Sequence, residues 1–261
     1  MTAGKPRVYL LDIEGTVAPV SLVTEQLFPY ARTHFEPFLK QRSEELAARV
    51  RSGDDIGKAH EEDDVLQDLL MLQMENRLES DPDAPRILPP GVVSMSPAYG
   101  IPRIAKYVYW LMDRDRKSTA LKSLQGKIWK AGFENGELKG ELFPDVPEAL
   151  ARWAKEAKVA IYSSGSVEAQ QLLFRHTTDG DLSPLIASYF DTRTGPKSES
   201  ASYRSIAIEL GVEPLEVIFF SDIVRELNAA REAGCRTRLV LREGNAPVDD
   251  PEGHQAITSL A

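Results

Sequence analysis

The chain begins with a short apolar run that ends abruptly in two carboxylates. Val8 to Leu11 are strand-forming residues without a polar interruption, which is typical of a parallel strand buried on both faces. Asp12 and Glu14 follow directly, and Gly15 stands behind them. In an open α/β sheet, ligands bind beyond the carboxyl ends of the strands. The pattern fits either an acidic turn after a core strand or a carboxylate that attacks a substrate beside a metal ion.

The second half of the chain alternates between strand and helix patterns. This alternation predicts an α/β fold with a parallel, doubly wound, Rossmann-like sheet. The first strand belongs to that sheet, because alone it could not bury both of its faces. Further strands are predicted at 159–162, 186–190, 217–220 and 237–241, and helices at 145–157, 166–175, 200–210 and 223–233.

The stretch between the first strand and residue 136 has only helical patterning. Helical segments are predicted at 21–51, 56–78, 104–113 and 119–133. Pro29 and Pro37 argue against one unbroken first helix. The acidic run at 61–64 predicts a solvated helix face, and the segment 81–102, rich in Pro, Gly and Ser, predicts an irregular connection. We therefore predict an α/β core domain of residues 1–19 and 137–261, and an inserted helical cap domain of residues 20–136.

Bulk properties restrict the function classes. The net charge of −9 argues against general binding to nucleic acid or to anionic membranes, since both need basic surface. No apolar run approaches the roughly 18 residues of a membrane span, and no signal peptide is evident. The only cysteine, Cys235, excludes an internal disulfide and predicts a small buried thiol. A cytoplasmic location is the expectation.

Polar residues with complementary chemistry follow the predicted strands. Carboxylates follow the first and fourth strands, hydroxyls the second, and a lysine lies in the loop after the third: Asp12, Glu14, Asp222, Ser163, Ser164 and Lys197. Taken singly, each has a bland interpretation, such as a strand-end cap for Ser163, a surface lysine for Lys197 or a helix cap for Asp222. Together they can bind Mg²⁺ through carboxylates, bind phosphate oxygens through hydroxyls, and offset the phosphate charge through the lysine. Asp12 can then attack phosphorus.

These residues resemble the four signatures of the haloacid dehalogenase-like phosphatases. The matching positions are Asp12-x-Glu14-x-Thr16, Ser163, Lys197 and Ser221-Asp222-x-x-x-Glu226. Most of that superfamily has Asp at the position of Glu14. A glutamate there resembles a narrower family, the enolase-phosphatases of E1 type of methionine salvage, which are also called acireductone synthases. Further stretches that resemble this family lie at 27–30, 115–129, 161–170 and 199–203.

The resemblance implies a bifunctional enzyme that uses one Mg²⁺ per chain. Such an enzyme enolises 2,3-diketo-5-methylthiopentyl-1-phosphate and then dephosphorylates the enol-phosphate through an aspartyl-phosphate, giving the acireductone 1,2-dihydroxy-3-keto-5-methylthiopentene. Carried over by position, the metal ligands are Asp12, Glu14 and Asp222, and Asp12 is the nucleophile. Lys197 has a catalytic role and, with Ser163 and Ser164, contacts the substrate. A monomer is expected from the same resemblance.

Some assignments stay open at this stage. The enolisation base is either Glu14, our first candidate, or a cap residue. Trp110, Trp129 and Phe133 are candidates for holding the methylthio tail, although each also fits a core position. One alternative function is a general small-phosphate phosphatase without enolase activity. Another is a phospho-acceptor receiver domain, which the chain length and the large insert after the first strand disfavour.

Overall fold

The computed structural model describes residues 4–55, 62–88 and 97–260. These residues contain a six-stranded sheet in the order β3-β2-β1-β4-β5-β6, in which all neighbouring strands are parallel. The predicted doubly wound parallel fold with a helical insert is therefore confirmed. The strands are β1 Val8–Leu11, β2 Lys158–Tyr162, β3 Ser188–Phe190, β4 Val217–Ser221, β5 Arg236–Val240 and β6 Gln255–Ile257.

The register brings the ends of the central strands to one edge. Leu11 at the end of β1 pairs with Ile161 on one side and with Phe220 on the other. The residues that follow these strands therefore leave the sheet side by side. The short strand β6 was not predicted, because its three residues carry no buried apolar run.

Helices connect the strands and form the insert. A π-helical turn at Leu22–Leu27 precedes the first α-helix. The α-helices are α1 Phe28–Arg51, α2 Asp64–Leu78, α3 Pro97–Asp113, α4 Thr119–Glu134, α5 Val146–Trp153, α6 Val167–Arg175, α7 Ser200–Leu210 and α8 Val224–Glu232.

The chain divides into two compact units. The α/β unit comprises residues 1–27 and 132–261, and the helical unit comprises residues 28–131. These divisions fall eight residues after and five residues before the domain boundaries expected from the sequence. The assignment of residues 1–19 and 137–261 to a catalytic core, and of 20–136 to a cap, remains a prediction.

Helix α1 runs unbroken through Pro37, so the predicted interruption is wrong. Pro37 removes one backbone donor from the helix. Phe35 and Leu39 flank it and are almost completely buried in the core of the helical unit. Their burial offsets the lost hydrogen bond, because tertiary packing commonly outweighs local propensity. Pro29 closely follows the π-helical turn Leu22–Leu27, where the regular α-helical hydrogen bonding is already interrupted.

Helix α3 begins at Pro97, earlier than the predicted start at residue 104. A proline suits the first helical position, and Pro102 within the second turn interrupts a single backbone bond. The predicted irregular connection therefore ends before residue 97. Residues 89–96 of that connection lie outside the described part of the chain, as do residues 56–61 of the predicted second helix.

Within the acidic run at 61–64, Glu62 and Asp64 are exposed, as predicted for a solvated helix face, whereas Asp63 is buried and corrects the interpretation at that residue. Asp63 is 7% exposed and accepts hydrogen bonds from the backbone N–H groups of Val65 and Leu66, at 3.0 and 2.9 Å. It therefore caps the N-terminus of the helix. Arg42 lies 3.4 Å from its second oxygen and compensates the buried charge.

The Cys235 thiol is buried and unbonded to another cysteine, and burial raises its pKa to about 12. The predicted buried thiol is thus confirmed. Among the described residues, no helix combines the length and apolarity needed to span a bilayer.

Candidate active site

A tight turn carries Asp12 away from the end of β1. The backbone N–H of Asp12 donates to Phe220 O of β4 at 3.0 Å, which continues the strand pairing by one residue. Ile13 O then accepts the N–H groups of Thr16 and Ala18 at 3.1 and 2.9 Å. We call residues 12–16 the catalytic turn. The Asp12 carboxylate is fixed in a nearly buried position at the carboxyl edge of the sheet.

Lys197 joins two carboxylates inside the α/β unit. Its Nζ lies 2.6 Å from Asp12 Oδ1 and 2.6 Å from Glu226 Oε2, and its side chain is only 9% exposed. Ser221 Oγ donates to Glu226 Oε2 at 3.0 Å. Ile13 N–H also donates to Asp12 Oδ1, at 2.7 Å. The sequence identified Glu226 as part of a motif but gave it no place among the site residues.

The loop before α7 holds Lys197 through its own backbone. Three consecutive carbonyls of this loop each accept a hydrogen bond from a buried hydroxyl. These bonds run from Tyr162 Oη to Gly195 O at 2.8 Å, from Ser202 Oγ to Pro196 O at 2.8 Å, and from Tyr203 Oη to Lys197 O at 2.7 Å. A buried ammonium on such an anchored loop keeps its position without relying on its long side chain alone.

Asp222 lies directly over the catalytic turn. Gly15 has φ +71°, and a Cβ there would overlap the Asp222 carboxylate and lie 2.9 Å from Asn245 Nδ2. Only glycine fits this position, both for its backbone conformation and for the space above it. Asn245 Nδ2 donates to Gly15 O at 2.8 Å and to Asp222 Oδ2 at 3.2 Å. Sequence reasoning missed Asn245, although a Gly-Asn turn after β5 at the same sheet edge was a usable signal.

The serines after β2 lie at the adjacent position of the same edge. Ser163 is buried, its N–H donates to Phe190 O at 3.2 Å, and its Oγ accepts the N–H of Gly165 at 3.2 Å. Ser164 is exposed. Ser166 caps α6 by accepting the N–H of Ala169 at 3.3 Å. The strand-end turn is therefore structured by Ser163, and the N–H of Val167 at the start of α6 donates to Asp191 Oδ2 at 3.4 Å.

The site concentrates negative charge in a buried setting. Burial, followed by repulsion from Asp12, raises the pKa of Glu14 to about 7 and that of Asp222 to about 7. The same two causes raise the pKa of Glu226, against the opposing effect of Lys197. Burial alone would lower the pKa of Lys197, but Asp12 and Glu226 raise it. One ammonium therefore faces four carboxylates, and the excess charge calls for a cation.

The donor set fits a small, oxygen-seeking cation. Mg²⁺ prefers carboxylate and carbonyl oxygens together with water. Asp12, Glu14 and Asp222 supply such oxygens around the catalytic turn, and like-charge repulsion among them would be relieved by a divalent ion. As they stand, no three His, Cys, Asp or Glu side chains of the described ranges 4–55, 62–88 and 97–260 form a group that could hold a metal. The fit therefore rests on residue chemistry and charge.

The cap aromatics named from the sequence are mostly core residues. Trp110 is buried and stacks on Tyr107 with ring centroids 5.9 Å apart. Phe133 is buried in the α/β unit, where it stacks on His176 at 5.9 Å. Trp129 is partly buried against the core of the helical unit. Burial of the first two favours a packing role for them.

Fold and site together define a class of hydrolase. Residues 6–234 match the haloacid dehalogenase-like hydrolase family, and the chain belongs to it. The solved structure of the UTR4 protein from Saccharomyces cerevisiae is similar to this chain, with a TM-score of 0.71 and 31% sequence identity. The match covers 98% of each chain. The predicted superfamily is thereby confirmed.

Closer relatives narrow the family to the enolase-phosphatases. "Enolase-phosphatase E1" of Synechococcus elongatus is 47% identical over 241 residues, which cover 92% of this chain and 90% of that protein. A Physcomitrium patens protein named "Probable bifunctional methylthioribulose-1-phosphate dehydratase/enolase-phosphatase E1" is 42% identical over 99% of this chain and 48% of its own length. The chain is a member of the enolase-phosphatase E1 family and an enzyme of the phosphatase type, as the sequence motifs predicted.

Proposed function

We propose that this chain enolises 2,3-diketo-5-methylthiopentyl-1-phosphate and then removes its phosphate to give the acireductone of methionine salvage. The observation that carries the proposal is the buried contact of Asp12 with Lys197 and Glu226, beside the further carboxylates Glu14 and Asp222. The names of the relatives support both activities. The moss relative also joins them to a dehydratase, and loss of water from a sugar phosphate yields a diketone phosphate of this kind.

Asp12 is the proposed nucleophile. Its Oδ1 lies 2.6 Å from Lys197 Nζ and accepts the Ile13 N–H at 2.7 Å. Its Oδ2 has only a longer contact, of 3.5 Å, with Ser221 Oγ. Oδ2 is therefore the oxygen we assign to the attack. A new bond forms between Oδ2 and phosphorus, the ester P–O bond breaks, and the released enolate oxygen takes a proton. Water then cleaves the aspartyl-phosphate and regenerates the Asp12 carboxylate.

Substrate binding is assigned to Ser163, Ser164 and Lys197. Their support is position, because the serines follow β2 beside the strand that carries Asp12, and Lys197 already contacts Asp12. An ammonium beside the reacting oxygens counters the charge that develops on them. In this proposal residues 1–19 and 137–261 act as the catalytic core, and residues 20–136 as a cap that helps to exclude water.

One Mg²⁺ per chain is proposed, held by Asp12, Glu14 and Asp222. When bound, Mg²⁺ acts as a Lewis acid on substrate oxygens. The enolisation step removes a proton from the carbon beside a carbonyl, and Glu14 is our first candidate for the base. Its support is its position two residues after Asp12 on the same turn. A residue of the helical unit is the alternative base.

The proposal also covers the partners, the cellular location and the oligomeric state of the chain. The net charge of −9 supports a chain that avoids nucleic acid and anionic membranes. The buried, unbonded thiol of Cys235 supports a reducing, cytoplasmic setting. A complete set of proposed site residues within the α/β unit of one chain supports a monomer.

The test follows enol absorbance and released phosphate together, with the diketo-phosphate as substrate. The wild type is expected to give both signals only with Mg²⁺. Asp12→Asn is expected to release no phosphate, because an amide cannot form the acyl-phosphate. Asp179→Asn is the matched control, since Asp179 is an exposed carboxylate of the same unit that accepts a hydrogen bond from the hydroxyl of its neighbour Thr178 at 3.3 Å.

Each outcome has a distinct meaning. Accumulation of an enol-phosphate by Asp12→Asn would separate enolisation from Asp12, and Glu14→Gln then tests the base. Phosphate release from many simple esters, without an enol signal, would contradict the enolase activity and favour a general phosphatase. Stable phosphorylation of Asp12 without turnover would favour a phospho-acceptor module.

A further inference from the structure

The loop after β5 contacts two consecutive carbonyls of the catalytic turn. Asn245 Nδ2 donates to Gly15 O at 2.8 Å, and Arg242 Nε donates to Thr16 O at 3.1 Å. A turn held by two side chains of a neighbouring loop is restrained more tightly than one held by its own backbone alone. Asn245 differs from Arg242 because it also reaches a carboxylate of the site.

The orientation of the Asn245 amide follows from its partners. Gly15 O can only accept a hydrogen bond, so the group that faces it must be the NH₂, and the same NH₂ lies 3.2 Å from Asp222 Oδ2. The amide therefore bridges the turn and the carboxylate. It holds the Asp222 carboxylate above Gly15, in the space that a side chain at position 15 would fill.

The bridge is made by a neutral donor. Lys197 pairs with Asp12 charge to charge, whereas Asn245 adds no charge to Asp222. A cationic side chain at this position would compete with a metal ion for the carboxylate. A neutral donor fixes the orientation of the carboxylate without adding a positive charge that would compete with a cation.

The other end of the amide points to the same ligand chemistry. Asn245 Oδ1 is buried, and no donor reaches it from the part of the chain that the structure describes. A buried acceptor of this kind calls for a donor. Mg²⁺ retains several coordinated waters in most protein sites, and coordinated water is a strong donor.

We infer that Asn245 is a positioning residue, which orients Asp222 for binding of a hydrated divalent cation. The inference rests on the proposed function, because it takes Asp222 as a ligand of Mg²⁺. Asn245 itself touches neither the reacting phosphorus nor the attacking oxygen. Its contribution is therefore to the affinity for the cation rather than to the chemical step.

Calorimetric titration of the full chain with MgCl₂, in the absence of substrate, tests the inference. Asn245→Ala is expected to bind Mg²⁺ about 10- to 100-fold more weakly than the wild type, as is usual when a partner of a metal ligand is removed. Asn135→Ala is the matched control, since Asn135 is an exposed asparagine that also structures a turn in the α/β unit, by accepting the N–H of Glu137. It is expected to bind Mg²⁺ as the wild type does.

A kinetic measurement separates positioning from a merely structural role. The kcat of Asn245→Ala is expected to recover at saturating Mg²⁺, with the KM for the diketo-phosphate unchanged. If the alanine variant does not fold, Asn245→Ser replaces it, because a hydroxyl is too short to bridge both acceptors. The same weakening of Mg²⁺ binding is expected for the serine variant.

The outcomes distinguish this inference from the proposed function. A wild type that binds no Mg²⁺ overturns the proposed magnesium site and this inference with it. A wild type that binds Mg²⁺, together with an Asn245 variant that binds it equally well, overturns this inference alone. A kcat that stays low at saturating Mg²⁺ also overturns it, because the defect would then lie in the chemical step.

Discussion

Two arginine–aspartate pairs, one in each compact unit, have the same geometry and different surroundings. In the α/β unit the two guanidinium nitrogens of Arg242 lie 2.8 and 3.1 Å from the two oxygens of Asp145. In the helical unit the corresponding distances from Arg32 to Asp113 are 2.7 and 3.4 Å. The side chains of the first pair are 6% and 16% exposed, and those of the second are 42% and 55% exposed. The two pairs therefore combine similar bidentate geometry with very different burial.

The buried pair carries further contacts that the exposed pair lacks. Asp145 also accepts the N–H of Leu260 at 2.6 Å and the hydroxyl of Ser259 at 3.2 Å. Arg242 extends to the catalytic turn through its bond to Thr16 O. The pair therefore connects the segment at residues 259–260 with the turn that bears Asp12. Its loss would disturb several elements together.

A second contrast concerns particular acids of the two units. In the helical unit, the buried Asp63 is paired with Arg42, and the partly buried Glu79 is paired with Arg116. In the α/β unit, Glu14 and Asp222 lie buried among other carboxylates, and their pKa values rise to about 7. Paired charges stabilise a fold, whereas buried charges of one sign indicate a site prepared for a ligand. The difference supports the proposal that the α/β unit carries the chemistry.

The largest effect on stability is expected for Asp145→Asn. Removing one partner of a buried pair leaves Arg242 without its counter-charge, which costs about 3 kcal/mol of unfolding free energy. Asp113→Asn is the matched control in the exposed pair, where about 1 kcal/mol or less is expected. Urea unfolding of both variants measures the difference. Equal losses for the two variants would show that burial does not decide the strength of these pairs.

A smaller effect is expected from acid. Burial alone would raise the pKa of Asp145, but the hydrogen bonds from Arg242 and from the Leu260 N–H outweigh it and lower that pKa below the ordinary value of 3.8. A carboxylate with a lowered pKa in the folded state stabilises the fold at every pH above its ordinary pKa. This stabilisation is lost as the pH falls through the lowered pKa. The stability difference between wild type and Asp145→Asn should therefore be constant above about pH 5 and shrink as the pH falls below about 4. A difference that grows in acid would reverse the sign and contradict the assignment.

The residues of the candidate site are easier to predict from a sequence than the contacts that hold them. Asp12, Lys197 and Asp222 follow strands or precede helices at recognisable positions, because a parallel sheet places its ligand-binding residues at the strand ends. Asn245 and Arg242 were missed, since their partners Gly15, Thr16 and Asp222 are distant in the chain. The Gly-Asn turn after β5 indicates a loop at the sheet edge, but not the contacts that the loop makes. The predicted interruption of α1 at Pro37 was wrong for a related reason, because the effect of this proline depends on burial of the neighbouring Phe35.

The smallest expected effect is that of salt on the stability contributed by the two pairs. Arg32 and Asp113 are solvent-exposed, so mobile ions screen their attraction, and the Debye length falls to about 3 Å at 1 M salt. The loss of stability caused by Asp113→Asn, about 1 kcal/mol at most in dilute buffer, should therefore vanish in about 1 M NaCl. The loss caused by Asp145→Asn should largely persist, because solvent ions do not enter the buried pair. Unfolding in urea at low and high salt measures both. A loss at Asp113 that salt leaves unchanged would mean that the exposed pair acts through packing, for which the Arg32 guanidinium stacked 4.6 Å from the Tyr109 ring offers the contact.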